Sequence, residues 1–131
     1  MSDIEKVREL FAKDHFATEN GMVIDEIGDH YAKCSLELGE RHLNAMGAVM
    51  GGVHFTLADF AFAVASNWQN PGVVGLDCSI AYLSPVKGKR LIAEAKLVKG
   101  GRSTCVYTVD ISDDIGTKVA TVQAMGFHVN K

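Results

Sequence analysis

With 131 residues, 47% of them hydrophobic and 22% charged, the chain has the composition of one globular domain that buries a core. Its formal net charge of −3 argues against a general binder of nucleic acid or of anionic membrane surfaces. Local clusters at Lys87, Lys89 and Arg90 and at Lys96, Lys99 and Arg102 still suit one phosphorylated small molecule.

Ser2 is placed to cap a short helix through about Lys13, with Ile4, Val7, Leu10 and Phe11 on one face. This charged, amphipathic start does not read as a signal peptide. Asn20-Gly21 signals a turn before a strand over Met22 to Ile27, and Gly28-Asp29 turns the chain into a second strand, His30 to Leu38. Gly39 to Met50 reads as loop. A helix is expected from about Gly51 to Trp68, stopped by Asn70-Pro71-Gly72. Four strands follow, over Val73 to Leu83, Leu91 to Val98, Ser103 to Ile111 and Lys118 to Val129. One long apolar helix with an antiparallel sheet predicts an α+β fold over residues 1–131, the sheet wrapping the helix broadly.

The long helix carries one carboxylate, Asp59, in an otherwise apolar stretch. The run from Phe55 to Ala65 is about half of the roughly 20 residues that a membrane span needs, and it contains that acid. A lone carboxylate in a core helix is a cost that asks for a functional reason. Gly51 and Gly52 open the same helix, where unpaired N–H groups carry the positive end of its dipole. Gly51 and Asp59 are separated by roughly 12 Å of helix axis, too far to meet one small reacting group. Were they to cooperate, the helix would have to pair antiparallel with a second copy of itself across a two-fold axis.

The stretch Leu43-Asn44-Ala45-Met46-Gly47-Ala48-Val49-Met50-Gly51-Gly52-Val53-His54-Phe55-Thr56-Leu57-Ala58-Asp59 resembles the signature N-x-x-G-x-x-H-G-G-x-x-x-x-L-x-D. That signature marks hotdog-fold acyl-CoA thioesterases of the phenylacetic-acid-degradation (PaaI-like) type, within the 4-hydroxybenzoyl-CoA thioesterase superfamily. Asp77 to Pro85, Gly101 to Thr104 and the closing strand extend the likeness over nearly everything after the first helix. The resemblance implies a hotdog fold, a central helix inside a curved antiparallel sheet, assembled as a homodimer with shared active sites and then a dimer of dimers. It implies that the Gly51 amide binds the thioester carbonyl oxygen. Asn44 would position the carbonyl or the attacking water, and Asp59 from the partner chain would serve as general base or nucleophile. Arg102 and Ser103 would contact the coenzyme A phosphates. Coenzyme A is then part of the substrate, and no separate cofactor is expected.

Two positions depart from the family pattern. The histidine that usually precedes the paired glycines is Met50, and a hydroxyl residue that helps place water in some relatives is Gly75. Without the resemblance, Asp59 reads as a structural acid bonded to a hydroxyl such as Thr56, and Gly100 to Ser103 as a hairpin with a solvated arginine. The histidines at 15, 30, 42, 54 and 128 have no metal-ligand spacing, and no G-x-S-x-G elbow points to a serine hydrolase. Cys34, Cys78 and Cys105 are an odd count without a Cys-x-x-Cys pair, so free packing thiols in the cytoplasm are expected. The expected activity is hydrolysis of an acyl-CoA thioester, without nucleic-acid or membrane partners. The rival is a non-catalytic acyl-thioester binder or sensor of the same fold, made plausible by Met50. A sensor would need an output module, and the short first helix leaves no room for one.

Overall fold

The computed structural model describes residues 1–129. Helix α1 (Asp3–Phe11) begins with a capping box, in which the Ser2 hydroxyl accepts from the Glu5 N–H and the Glu5 carboxylate accepts from the Ser2 N–H. Val7 and Phe11 are buried, whereas Leu10 is exposed. A second short helix, α2 (His15–Glu19), is a feature that five residues with one buried side chain, Ala17, do not announce in sequence.

Strands β1 (Val23–Gly28) and β2 (Tyr31–Glu37) follow, then a 3-10 turn at Glu40–His42 and the long helix α3 (Gly51–Asn67). Strands β3 (Val73–Tyr82), β4 (Arg90–Gly100), β5 (Thr104–Asp113) and β6 (Lys118–His128) complete one antiparallel sheet in the order β1-β2-β4-β5-β6-β3. This is the expected fold class, with a central helix against a six-stranded sheet.

The core lies between α3 and one sheet face. Leu57, Phe60, Phe62 and Val64 pack there against Leu36, Leu91, Tyr107, Val109 and Ile111. Each such large side chain contributes about 1.5–3 kcal/mol by leaving water. Polar bonds fix the helix at its C-terminal end. The Trp68 indole donates to the Gly28 carbonyl at 2.8 Å, and the Asn67 side-chain oxygen accepts from Gly72 and Val73 N–H.

The sheet does not close around α3. Gly52, Phe55 and Asp59, spaced by three and four residues, form an exposed stripe on one helix face. Among the described residues the outer edge of β3 is also unpaired, and Val74, Leu76 and Tyr82 on it are exposed. A ten-residue strand with a free edge and exposed apolar side chains is a ready template for pairing.

Candidate active site

Gly51 is the first residue of α3, and Met50 before it supplies no side-chain cap. The helix start is instead tied to the preceding loop. The Met50 N–H donates to the His42 carbonyl at 2.9 Å, and Leu43 bridges Val49. His42 is buried with both ring nitrogens engaged. Nδ1 accepts from Gly39 N–H at 2.9 Å, and Nε2 donates to the Asn20 carbonyl at 2.7 Å. That side chain therefore fastens the loop to the N-terminal helices.

Asn44 organises the same loop. Its side-chain oxygen accepts from Met46 N–H at 2.9 Å and Ala48 N–H at 3.1 Å. With the oxygen so occupied, the amide nitrogen is the group left to act outward, and it can only donate. Asn44 can thus hold a carbonyl or a water oxygen, but it cannot take a proton from that water.

Beside the helix start lies a cavity of about 900 Å³, whose wall includes Leu43, Val49, Gly51, His54, Tyr82 and Val86. Tyr82 closes over the first turn, its hydroxyl donating to the Gly51 carbonyl at 3.0 Å. A Cβ at position 51 would sit 2.9 Å from that hydroxyl, so any larger residue here would have to displace the end of the Tyr82 side chain. Outside the cavity lining, Asp113 accepts from Lys87 and Gly88 N–H, and Asp114 from Lys89 and Arg90 N–H. These four bonds hold the β3–β4 connection that lines the cavity.

Asp59 stands on the open stripe of α3 rather than in its own chain's core, which corrects the expectation of a carboxylate buried inside the helix layer. The apolar sequence around it is explained by the flanking faces, which the sheet covers. Among the described residues Asp59 has no hydrogen bond or ion pair. The alternative partner, Thr56, donates its hydroxyl to the Gly52 carbonyl at 2.8 Å. Partial burial, and to a lesser degree the Asp14 carboxylate, push the Asp59 pKa above its ordinary value. Asp59 in turn adds to burial in raising the Cys78 thiol, which keeps that cysteine protonated and a poor nucleophile.

The structure does not bring Asp59 to Gly51 within one chain, since both lie on the single helix α3 with roughly 12 Å between them. Arg102 and Ser103 are more distant. They form the β4–β5 hairpin, where the Ser103 carbonyl accepts from His128 N–H at 2.8 Å, and β6 at His128 pairs with β3 at Val73. That is the C-terminal end of α3, and the hairpin there borders a separate cavity of about 410 Å³ lined by Gly72, Gly100 and Gly101. Asn44 thus lies in the loop that leads into α3 at Gly51, whereas Asp59 and the Arg102–Ser103 pair lie towards the other end of the chain's helix layer and are not brought to that loop. His54 and Tyr82 were not singled out by the sequence motif. The spacing of His54, one turn after the N-cap, is the signal that could have found it.

The residues 46–120 match the family model described as Thioesterase superfamily. A candidate esterase of Archaeoglobus fulgidus is 30% identical across 98% of this chain and 84% of its own length. The acyl-coenzyme A thioesterase PaaI of Escherichia coli is 32% identical, with 78% of this chain and 74% of that protein aligned. The solved structure of the E. coli PaaI protein from the phenylacetic acid degradation operon superposes with a TM-score of 0.88 at 27% identity, covering 98% of this chain and 96% of that one.

Proposed function

This chain belongs to the thioesterase superfamily, and from that membership we infer that it hydrolyses an acyl-CoA thioester to a carboxylic acid and free coenzyme A. Asp59 is the observation that carries the assignment to this site. It is a carboxylate without a structural partner among the described residues, raised toward a working base and facing outward on the helix that also carries Gly51. A thiol-release assay across short, medium, long and aromatic acyl-CoAs tests the activity. Binding of these thioesters without release of thiol would favour the non-catalytic binder instead.

The proposed site is built from two chains. Antiparallel pairing that sets Gly51 against Asp59 of a second copy is centred on residue 55, so Phe55, 38% exposed, would meet its own symmetry mate. The free β3 edge supports the same contact by letting two sheets join. In such a pair, the C-terminal half of one α3 runs past the other's N-terminus. One chain then supplies Asn44 and Gly51, and its partner supplies Asp59 with Arg102 and Ser103. Val74 and Phe127, adjacent in register and exposed on the sheet face away from α3, support pairing of dimers into a tetramer.

In this arrangement the Gly51 N–H and the dipole of α3 stabilise the oxyanion. Asn44 donates to the carbonyl or to the water. Asp59 acts as base, taking a proton as water adds to the carbonyl carbon, or as nucleophile through a mixed anhydride that water then opens. Either route breaks the C–S bond and releases a thiolate that takes up a proton. The chemistry asks for no cofactor beyond the coenzyme A already in the substrate. The three free cysteines support a reducing, cytoplasmic setting, and among the described residues no helix is long and apolar enough to cross a membrane.

Arg102→Ala is expected to raise KM for acyl-CoA more than it lowers kcat, because a phosphate contact far from the carbonyl contributes mostly uniform binding. The control is an acyl-pantetheine substrate, which lacks the nucleotide and should be indifferent to the change. An unchanged KM for the CoA thioester would reduce the loop to a hairpin with a solvated arginine.

Gly75→Ser is expected to raise kcat on the order of several-fold by adding a hydroxyl that orients water. Val73 and Cys78 pack toward α3, and the bulge between Gly75 and Asp77 keeps Gly75 on that same face. A Cβ there meets no atom within 4 Å, so the serine fits without displacing a neighbour. A fall in kcat with folding intact would exclude position 75 from water placement.

A further inference from the structure

The first two peptide planes of α3 are each held by a side chain from the cavity wall. The N–H of Gly51 shares its plane with the Met50 carbonyl, and Nδ1 of His54 lies 3.1 Å from that oxygen. The next plane joins the Gly51 carbonyl to the Gly52 N–H, and the Tyr82 hydroxyl donates to that carbonyl at 3.0 Å. The two rings brace each other edge to face, with centroids 5.5 Å apart and planes at 86°. His54 is 5% exposed, so its ring has little freedom to leave this position.

A carbonyl oxygen only accepts, so Nδ1 of His54 must carry the proton in this contact. Burial pushes the His54 pKa below its ordinary value, outweighing the backbone contacts with Met50 and Gly51 that raise it. The form present at neutral pH is thus the uncharged ring protonated on Nδ1. The Met50 carbonyl also accepts from the Val53 N–H at 2.9 Å. Donation into a carbonyl polarises its amide and makes the N–H on the other side a stronger donor.

We propose that His54 is a positioning residue for thioester hydrolysis, its Nδ1–H fixing and polarising the Met50–Gly51 peptide so that the Gly51 N–H is aimed at the developing oxyanion. This role rests on the hydrolase assignment above, with Gly51 as the oxyanion donor. Met50 has no side-chain group that could orient the peptide from the N-cap itself. His54 does so from one turn along the helix.

Two substitutions separate positioning from packing. His54→Phe keeps the ring against Tyr82 but has no donor. His54→Asn leaves a hole but places an amide N–H near where Nδ1–H was. A packing role ranks Phe above Asn in both stability and turnover. The positioning role keeps that order for the thermal midpoint and inverts it for kcat.

The expected loss in kcat for His54→Phe is about 10- to 100-fold, a fraction of the roughly 100- to 1,000-fold cost of losing an oxyanion donor outright. KM should stay within about two-fold, since the contact matters most in the transition state. Turnover by His54→Phe equal to or above that of His54→Asn would overturn the proposal. Imidazole ¹⁵N spectra of the wild-type chain give a reading that needs no variant to fold. Nδ1 should be protonated and Nε2 bare at neutral pH, and the opposite tautomer overturns the proposal. No thiol release by the wild-type chain would remove the hydrolase assignment and this role with it. Loss of the inverted ranking in an active enzyme removes the role of His54 alone.

Discussion

Asp59→Asn is expected to lower thioester hydrolysis by about 100- to 10,000-fold, the range for losing a positioned general base. The substitution is nearly isosteric, and among the described residues Asp59 has no partner whose loss would disturb the fold. Stability should move the other way at neutral pH. Because the folded-state pKa is raised, by partial burial first and Asp14 second, folding favours the protonated acid. The wild-type chain therefore loses stability as pH rises through that folded pKa, whereas the asparagine variant does not. Thermal midpoints should agree in acid and diverge at neutral pH, with the variant at least as stable. The same shift puts the acidic limb of kcat/KM above the ordinary aspartate range. Near-wild-type turnover by Asp59→Asn on the best substrate would sink the catalytic assignment.

Most of the fold was legible from the sequence because its signals are local. Ser2 with Glu5 marks the start of α1, Asn70-Pro71-Gly72 ends α3, and the strands after Pro71 show clear turn residues between them. Helix α2 escaped because five residues carry too little periodicity to register. The exposure of Asp59 escaped for a different reason. Nothing in an apolar helix says which stripe the sheet leaves bare, since that depends on where β3 ends the sheet. The site divided the same way. Asn44, Gly51 and Asp59 form a spaced pattern, but the pairing of Asn44 with loop N–H groups, and of His54 and Tyr82 with the Met50 and Gly51 carbonyls, is tertiary geometry. The two bonds to the Asn44 oxygen leave its expected positioning role open only through the amide N–H, which can donate to a carbonyl or a water but cannot accept from one.

Mixed dimers of complementary variants should regain about half of wild-type activity, a larger change than any average of two inactive parents could produce. The roughly 12 Å between Gly51 and Asp59 along α3 forbids their cooperation in one chain, so a site that uses both would draw on two copies. Asp59→Asn disables one contribution. For the other, Asn44→Asp retains the oxygen that holds Met46 and Ala48 N–H and replaces the outward donor with a charged carboxylate oxygen that can only accept. Each parent homodimer then carries two damaged sites. In the heterodimer one site collects both lesions, while the other combines intact Asn44 and Gly51 from one chain with intact Asp59 from its partner. If the two sites act independently, the restored one gives half of the wild-type rate per dimer. The measurement is turnover by co-refolded chains carrying different affinity tags, purified sequentially so that only heterodimers remain. A rate no higher than the mean of the two parents, with heterodimer formation verified, would rule out a site shared by Asn44, Gly51 and a partner's Asp59, and with it antiparallel pairing of α3 as the source of the site.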